Sequence, residues 1–112
     1  MPPKSSEAPS PLSTAILFAL ADRVSHGYAI MKEIESITEG EMRLNTGSVY
    51  LALHRLLADG LIAESKGEGD DARRRYYKLT AAGRSAAKAE ARRLQQLVRA
   101  ATVKKLIPGM AQ

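Results

Sequence analysis

The apolar pattern of this chain changes period at Gly60, and that switch constrains the fold more than any other feature. Upstream, apolar residues recur every three or four positions, as on one face of a helix; downstream they alternate, as on a half-buried strand. Ser13 is placed to cap a first helix running to about Arg23, with Ile16, Leu17, Leu20 and Val24 turned inward. Ser25-His26-Gly27 breaks the pattern. A second helix carries Tyr28, Met31, Ile34 and Ile37 as its apolar stripe and ends near Gly40. After the link Met42-Arg43-Leu44-Asn45, Thr46 is placed to cap a third helix that buries Val49, Leu53, Leu56 and Leu57. Gly60 then suits the left-handed residue that closes a helix.

Residues 61–66 read as a strand, 67–72 as a polar loop containing glycine, and 74–79 as the return strand. On the return strand Arg75, Tyr77 and Leu79 share one face, and Arg74, Tyr76 and Lys78 the other. Thr80 is placed to cap a last helix that continues to about Ile107, where Pro108-Gly109 stops it. Roughly 27 residues make a rod of about 40 Å, longer than a domain of this size can cover. Ala87, Ala91, Leu94, Val98 and Ala101, with Leu97 beside them, recur at three- and four-residue steps, a seam suited to pairing with another helix. Val103, Leu106 and Ile107 lie off that seam. The fold class is therefore mainly α with a small β-hairpin: a winged helix-turn-helix domain over residues 12–80, then a long C-terminal dimerisation helix over 81–107. Residues 1–11, rich in Pro and Ser, read as a disordered tail, and 108–112 as a second tail.

Composition narrows the function. With 112 residues and 4% aromatic content, one small core of Leu, Ile, Val and Ala is expected, and self-association would supplement it. The absence of Cys excludes disulfides, thiol nucleophiles and Cys-based zinc sites. No Gly-rich phosphate loop, metal-spaced His set or nucleophile–base pair stands out, so no catalytic residue, metal or cofactor is expected. The longest apolar run, residues 15–21, is too short to span a bilayer, and the expectation is a soluble, cytoplasmic protein. The net charge of +5 is unevenly placed: residues 1–60 hold 5 basic and 7 acidic side chains, residues 61–112 hold 12 and 5. A one-sided basic surface points to a polyanion.

In a winged helix-turn-helix the third helix enters the DNA major groove and the hairpin follows the flanking backbone. The outer face of helix three here offers Ser48, Leu51, Ala52 and Arg55. Arg55 suits guanine or a phosphate, and Leu51 a thymine methyl. The Thr46 and Ser48 hydroxyls, with the free N–H groups of the helix start, favour an anion. His54 lies on a flank within reach of a phosphate, and Lys32 is a weaker candidate. Arg73 and Arg74 are expected on the DNA backbone or in the minor groove, with Arg75 alternatively paired to an acidic neighbour. His26 reads as a capping or packing residue, and Asp70-Asp71 as a solvated turn.

Several stretches in order resemble the PadR family of bacterial transcriptional regulators: His26-Gly27-Tyr28-Ala29-Ile30, Asn45-Thr46-Gly47-Ser48-Val49-Tyr50-Leu51-Ala52-Leu53, Gly60-Leu61-Ile62, Arg73-Arg74-Arg75-Tyr76-Tyr77-Lys78-Leu79-Thr80, and Gly83. The resemblance implies a homodimeric repressor that binds a palindromic operator, pairs through its C-terminal helices, and turns the Tyr50 hydroxyl to a phosphate. The implied partners are double-stranded DNA and a second copy of the chain, with a small-molecule effector left open and no membrane. Two other readings stand beside it: a winged-helix protein-interaction module, and a small-molecule sensor without high-affinity DNA binding.

Overall fold

Helix α1 (Pro11–Ala19) begins where Ser10, in extended conformation, accepts the Ser13 N–H at 3.1 Å and Pro11 fills the first helical turn. Ser13 is thus inside the helix and Ser10 is its cap; both residues are competent caps, and the proline decides between them. In this computed structural model, which describes residues 8–66 and 74–108, α1 is buried nearly all round and touches α2, α3 and α4. The elements that follow are β1 (Ser25–His26), α2 (Gly27–Ile37), α3 (Thr46–Ala58), β2 (Ile62–Ser65), β3 (Tyr76–Leu79) and α4 (Ala81–Val103). The mainly α winged helix-turn-helix architecture is therefore present, with one added strand. β1 pairs antiparallel with β3, Ser25 opposite Tyr77, and makes a three-stranded sheet in the order β1-β3-β2. Across the hairpin Ile62 faces Leu79 and Ser65 faces Tyr76.

The core is built from Ile16, Leu17 and Leu20 of the α1 region, Ile30 and Ile34 of α2, Val49, Leu53 and Leu56 of α3, Ile62 and Tyr77 of the sheet, and Ala87 of α4. Several sequence expectations shift here. α1 stops at Ala19, and Val24 is exposed. On α2 the inward pair is Ile30 and Ile34, with Met31 packed at their edge, whereas Tyr28 and Ile37 face solvent. Apolar residues flank Met31 on both sides, so period alone could not choose the face. On α3 Ala52 is buried, not outward, and the cap is Asn45, whose Oδ1 accepts the Ser48 N–H at 3.1 Å; Thr46 is the first helical residue.

Helices α3 and α4 end on one device. At Gly60, with φ +75°, the Leu61 N–H reaches the Leu56 carbonyl at 3.0 Å and the Gly60 N–H reaches Leu57 at 3.0 Å. Lys105, with φ 61°, makes the same closure for α4, where the Leu106 N–H meets the Ala101 carbonyl at 2.8 Å. α4 therefore ends at Val103, short of the Ile107 expected from Pro108-Gly109. Its 23 residues still extend about 35 Å. Thr80 caps it as expected, accepting the Gly83 N–H at 3.0 Å while its hydroxyl donates to the Gly60 carbonyl at 2.7 Å.

Glu90 on α4 is 4% exposed, although it is a carboxylate on an otherwise basic helix. The Thr14 hydroxyl of α1 donates to its Oε2 at 2.8 Å, and Arg93 donates to both oxygens, each at 2.8 Å. The Arg93 hydrogen bonds hold Glu90 below the ordinary carboxylate range, against the opposing pull of burial, and the Thr14 bond adds to the lowering. A depressed folded pKa contributes stability that is fully present above the unfolded value, about 4.3, and is lost as pH falls through the folded value. Wild type is expected to lose melting temperature more steeply than Glu90→Gln as pH drops below about 4.3. Parallel acid limbs in thermal melts would contradict this linkage.

Candidate nucleic-acid interface

The exposed side of α3 follows from its buried side. With Val49, Ala52, Leu53 and Leu56 turned in, Thr46, Ser48, Tyr50, Leu51, His54 and Arg55 are left exposed. Leu51 is 58% exposed, a large apolar side chain that the described residues leave mostly uncovered. Asn45 caps the helix with its side chain, so the Thr46 hydroxyl is not spent on that bond.

β1 brings a second group of residues beside α3. The His26 ring accepts the Ala29 N–H through Nδ1 at 3.1 Å and so caps α2, which agrees with the capping role read from sequence. Its Nε2 lies 2.7 Å from an Arg74 guanidinium nitrogen. The same ring stacks near Tyr28, with centroids 6.5 Å apart, and meets Tyr76 edge-on at 5.4 Å. Lys32 sits 5.8 Å above the Tyr28 ring. One imidazole thus joins the start of α2 to the base of the wing.

Gly27 lets Tyr50 lie across the start of α2, since a Cβ at residue 27 would run into the Tyr50 hydroxyl. His26, Gly27, Tyr28, Tyr50, Arg74 and Arg75 together line an open concavity of about 500 Å³. Arg75 also reaches Glu64 on the neighbouring strand at 3.3 Å, the acidic pairing that was one of its two expected roles. Behind the concavity, burial pushes the Tyr77 phenol above its usual range, with Tyr50 and Glu64 adding to the shift, so that hydroxyl stays neutral.

The structure therefore gathers Tyr50, Arg74 and Arg75 around one hollow and lays Thr46, Ser48, Leu51, His54 and Arg55 along the adjoining helix. Arg73 and the Asp70-Asp71 turn lie outside the described residues. Gly27 and Tyr28, absent from the sequence-derived site, enter it because β1 draws the start of α2 onto the wing; a two-residue strand leaves no alternation to read. Phenol, guanidinium and helix-start N–H groups share an affinity for anionic oxygens. No trio of His, Cys, Asp or Glu among the described residues is placed to hold a metal ion. No helix among them is long and apolar enough to cross a membrane.

On α4, Ala91, Leu94, Leu97, Val98 and Ala101 form a stripe that the described residues leave open or half-covered. Ala87, read as the first residue of that seam, is 8% exposed and belongs to the chain's own core. It lies where α4 crosses α1 and has little surface left for a partner.

Comparison with known proteins agrees with this architecture. The model of the transcriptional regulator PadR-like family matches residues 16–89. A transcriptional regulator of Mycobacterium tuberculosis, Rv3488, is 37% identical over 84 residues, covering 75% of this chain and 76% of that protein. A transcriptional regulator from Clostridium thermocellum superposes with a TM-score of 0.70 at 27% identity, covering 86% of this chain and 89% of that one. Bacillus subtilis PadR in complex with operator DNA shares the fold, with a TM-score of 0.61 at 21% identity over 70% of this chain and 45% of that one.

Proposed function

The chain belongs to the PadR-like family of transcriptional regulators, not to the enzymes, and from that premise we propose that it is a repressor acting as a homodimer on a palindromic operator. Each subunit lays α3 in the major groove of one half-site and its wing along the flanking backbone. The observation that carries this reading is the meeting of Tyr50 from α3 with Arg74 and Arg75 from the wing around one concavity, beside the exposed α3 face. Tyr50, Arg74 and Arg75, with Thr46 and His54, take phosphates; Ser48, Leu51 and Arg55 meet base edges. Arg73 is added as a further phosphate contact on the sequence alone. The α4 stripe of Ala91, Leu94, Leu97, Val98 and Ala101 pairs the subunits in the cytoplasm. Occupancy of the operator suffices to block polymerase, so repression needs no further surface.

The test is a gel shift on DNA upstream of the protein's own gene, with wild type beside Arg74→Ala. Arg74→Ala is expected to weaken binding about tenfold and, with two copies per dimer, to make the log–log salt slope shallower by about 2. A wild-type protein that gives no specific shift at moderate salt would overturn the reading in favour of a protein-interaction module.

A further inference from the structure

We infer that Glu90, held by Thr14 and Arg93, fixes the angle at which α4 leaves the winged domain, and through it the half-site spacing that the dimer accepts. The spacing part rests on the homodimeric, operator-binding reading above. Glu90 is the last buried residue of α4: residues 91–93 are exposed, and beyond them only Leu94, Ala101 and Thr102 are even half-covered. Up to that point α4 is tied at every turn. Thr80 caps it, Arg84 donates to the Ala21 carbonyl at 3.0 Å, and Ala87 sits in the core. After Glu90 it projects as a free rod within the subunit, so a small rotation there is magnified along the helix.

The apolar side chains that α4 gives to the core are Ala86 and Ala87. Such small side chains bring helices close but add little directional restraint of their own at this point. The Glu90 bonds are directional. Thr14 approaches one oxygen from α1 while Arg93 spans both from the next turn, and rolling α4 by one residue, about 100°, would break the link to α1. Only the Glu90 end of this pair is buried, the Arg93 side chain being 45% exposed, and a pair desolvated in this way is seldom more stable than apolar residues of the same shape, so its distinctive contribution is geometric. Glu90 is also the one acidic side chain in residues 81–112, which leaves Arg93 no alternative carboxylate along its own helix.

Because the chain has no Cys, a spin-label pair can be introduced at exposed Glu33 of α2 and Gln96 of α4 without background. Labelled subunits diluted in unlabelled protein then report the distance from α4 to the domain within one subunit. Wild type and Thr14→Ser are expected to give one narrow distribution. Thr14→Val, which keeps the shape but not the hydroxyl, and Glu90→Gln are expected to broaden it into more than one population. Thr14→Val guards against a Glu90 variant that fails to fold. Operator duplexes with the half-sites moved by one base pair supply the second arm: the change should cost wild type roughly tenfold in affinity and cost both variants markedly less. Unchanged distributions in both variants would overturn the inference. Broadened distributions with wild-type discrimination between spacings would overturn its consequence for spacing. If wild type binds no duplex at all, the operator reading fails, while the distances still decide the role of Glu90.

Discussion

Gly83→Ala is expected to destabilise the protein by about 3 kcal/mol, even though alanine is favoured over glycine in a helix by about 1 kcal/mol. Gly83 lies in the first turn of α4, against the start of the hairpin. A Cβ there would run into the Leu61 carbonyl oxygen and press on Leu79 Cδ2 at 3.1 Å. Neither neighbour yields easily. The Leu61 carbonyl accepts the Thr80 N–H at 3.1 Å, and the adjoining Leu61 N–H closes α3. Moving that strand would disturb the end of one helix and the cap of another together. A small domain has only about 5–15 kcal/mol in total, so the loss is a large fraction of it. Urea denaturation reads the effect, with Ser85→Ala, on the exposed side of the same helix, expected within about 0.5 kcal/mol of wild type. A Gly83→Ala protein as stable as wild type would mean that α4 does not pack this closely on Leu61.

Leu94→Asp is expected to split the proposed homodimer. Leu94 is half-covered within the chain, next to Leu97 at 55% exposure and Val98, in a continuous apolar stripe that α4 offers beyond Glu90. In a dimer paired along it, aspartate would place an uncompensated carboxylate in the interface twice, at several kcal/mol per copy. Light scattering should give twice the 12.1 kDa chain mass for wild type and a single chain mass for the variant. DNA affinity should fall with it, since a lone subunit reads one half-site. An unchanged mass would remove Leu94 from the interface and move the pairing surface elsewhere.

The order of elements was legible because it rests on period: three helical stretches, a switch to alternation at Gly60, then a long helix. Positions fixed by contacts between distant segments were not. β1 is two residues long, and it becomes a strand only because β3 lies beside it. Ser10 and Asn45 displace Ser13 and Thr46 as caps because neighbouring residues in each pair can all accept a first-turn N–H. The partnership of Glu90 with Thr14 spans 76 positions, and a carboxylate among Ala and Arg on a helix reads locally as solvated. On the candidate site, spacing picked out the exposed Ser48, Leu51 and Arg55 of α3 but also Ala52, which is buried, and charge picked out Arg74 and Arg75. The entry of Gly27 and Tyr28 was not visible, because it depends on the same short strand. Gly83 drew notice only through its family resemblance; the Leu61 carbonyl supplies the physical reason for it.

The central requirement of the proposed function is that two subunits read one duplex together. Selection of bound sequences from a random duplex pool, with the mass of the recovered complex measured, tests that directly. Enrichment of an inverted repeat with half-site centres about one helical turn apart, carrying two chains per duplex, is the predicted result. A protein that stays monomeric and enriches no sequence, even in dilute buffer, would contradict it.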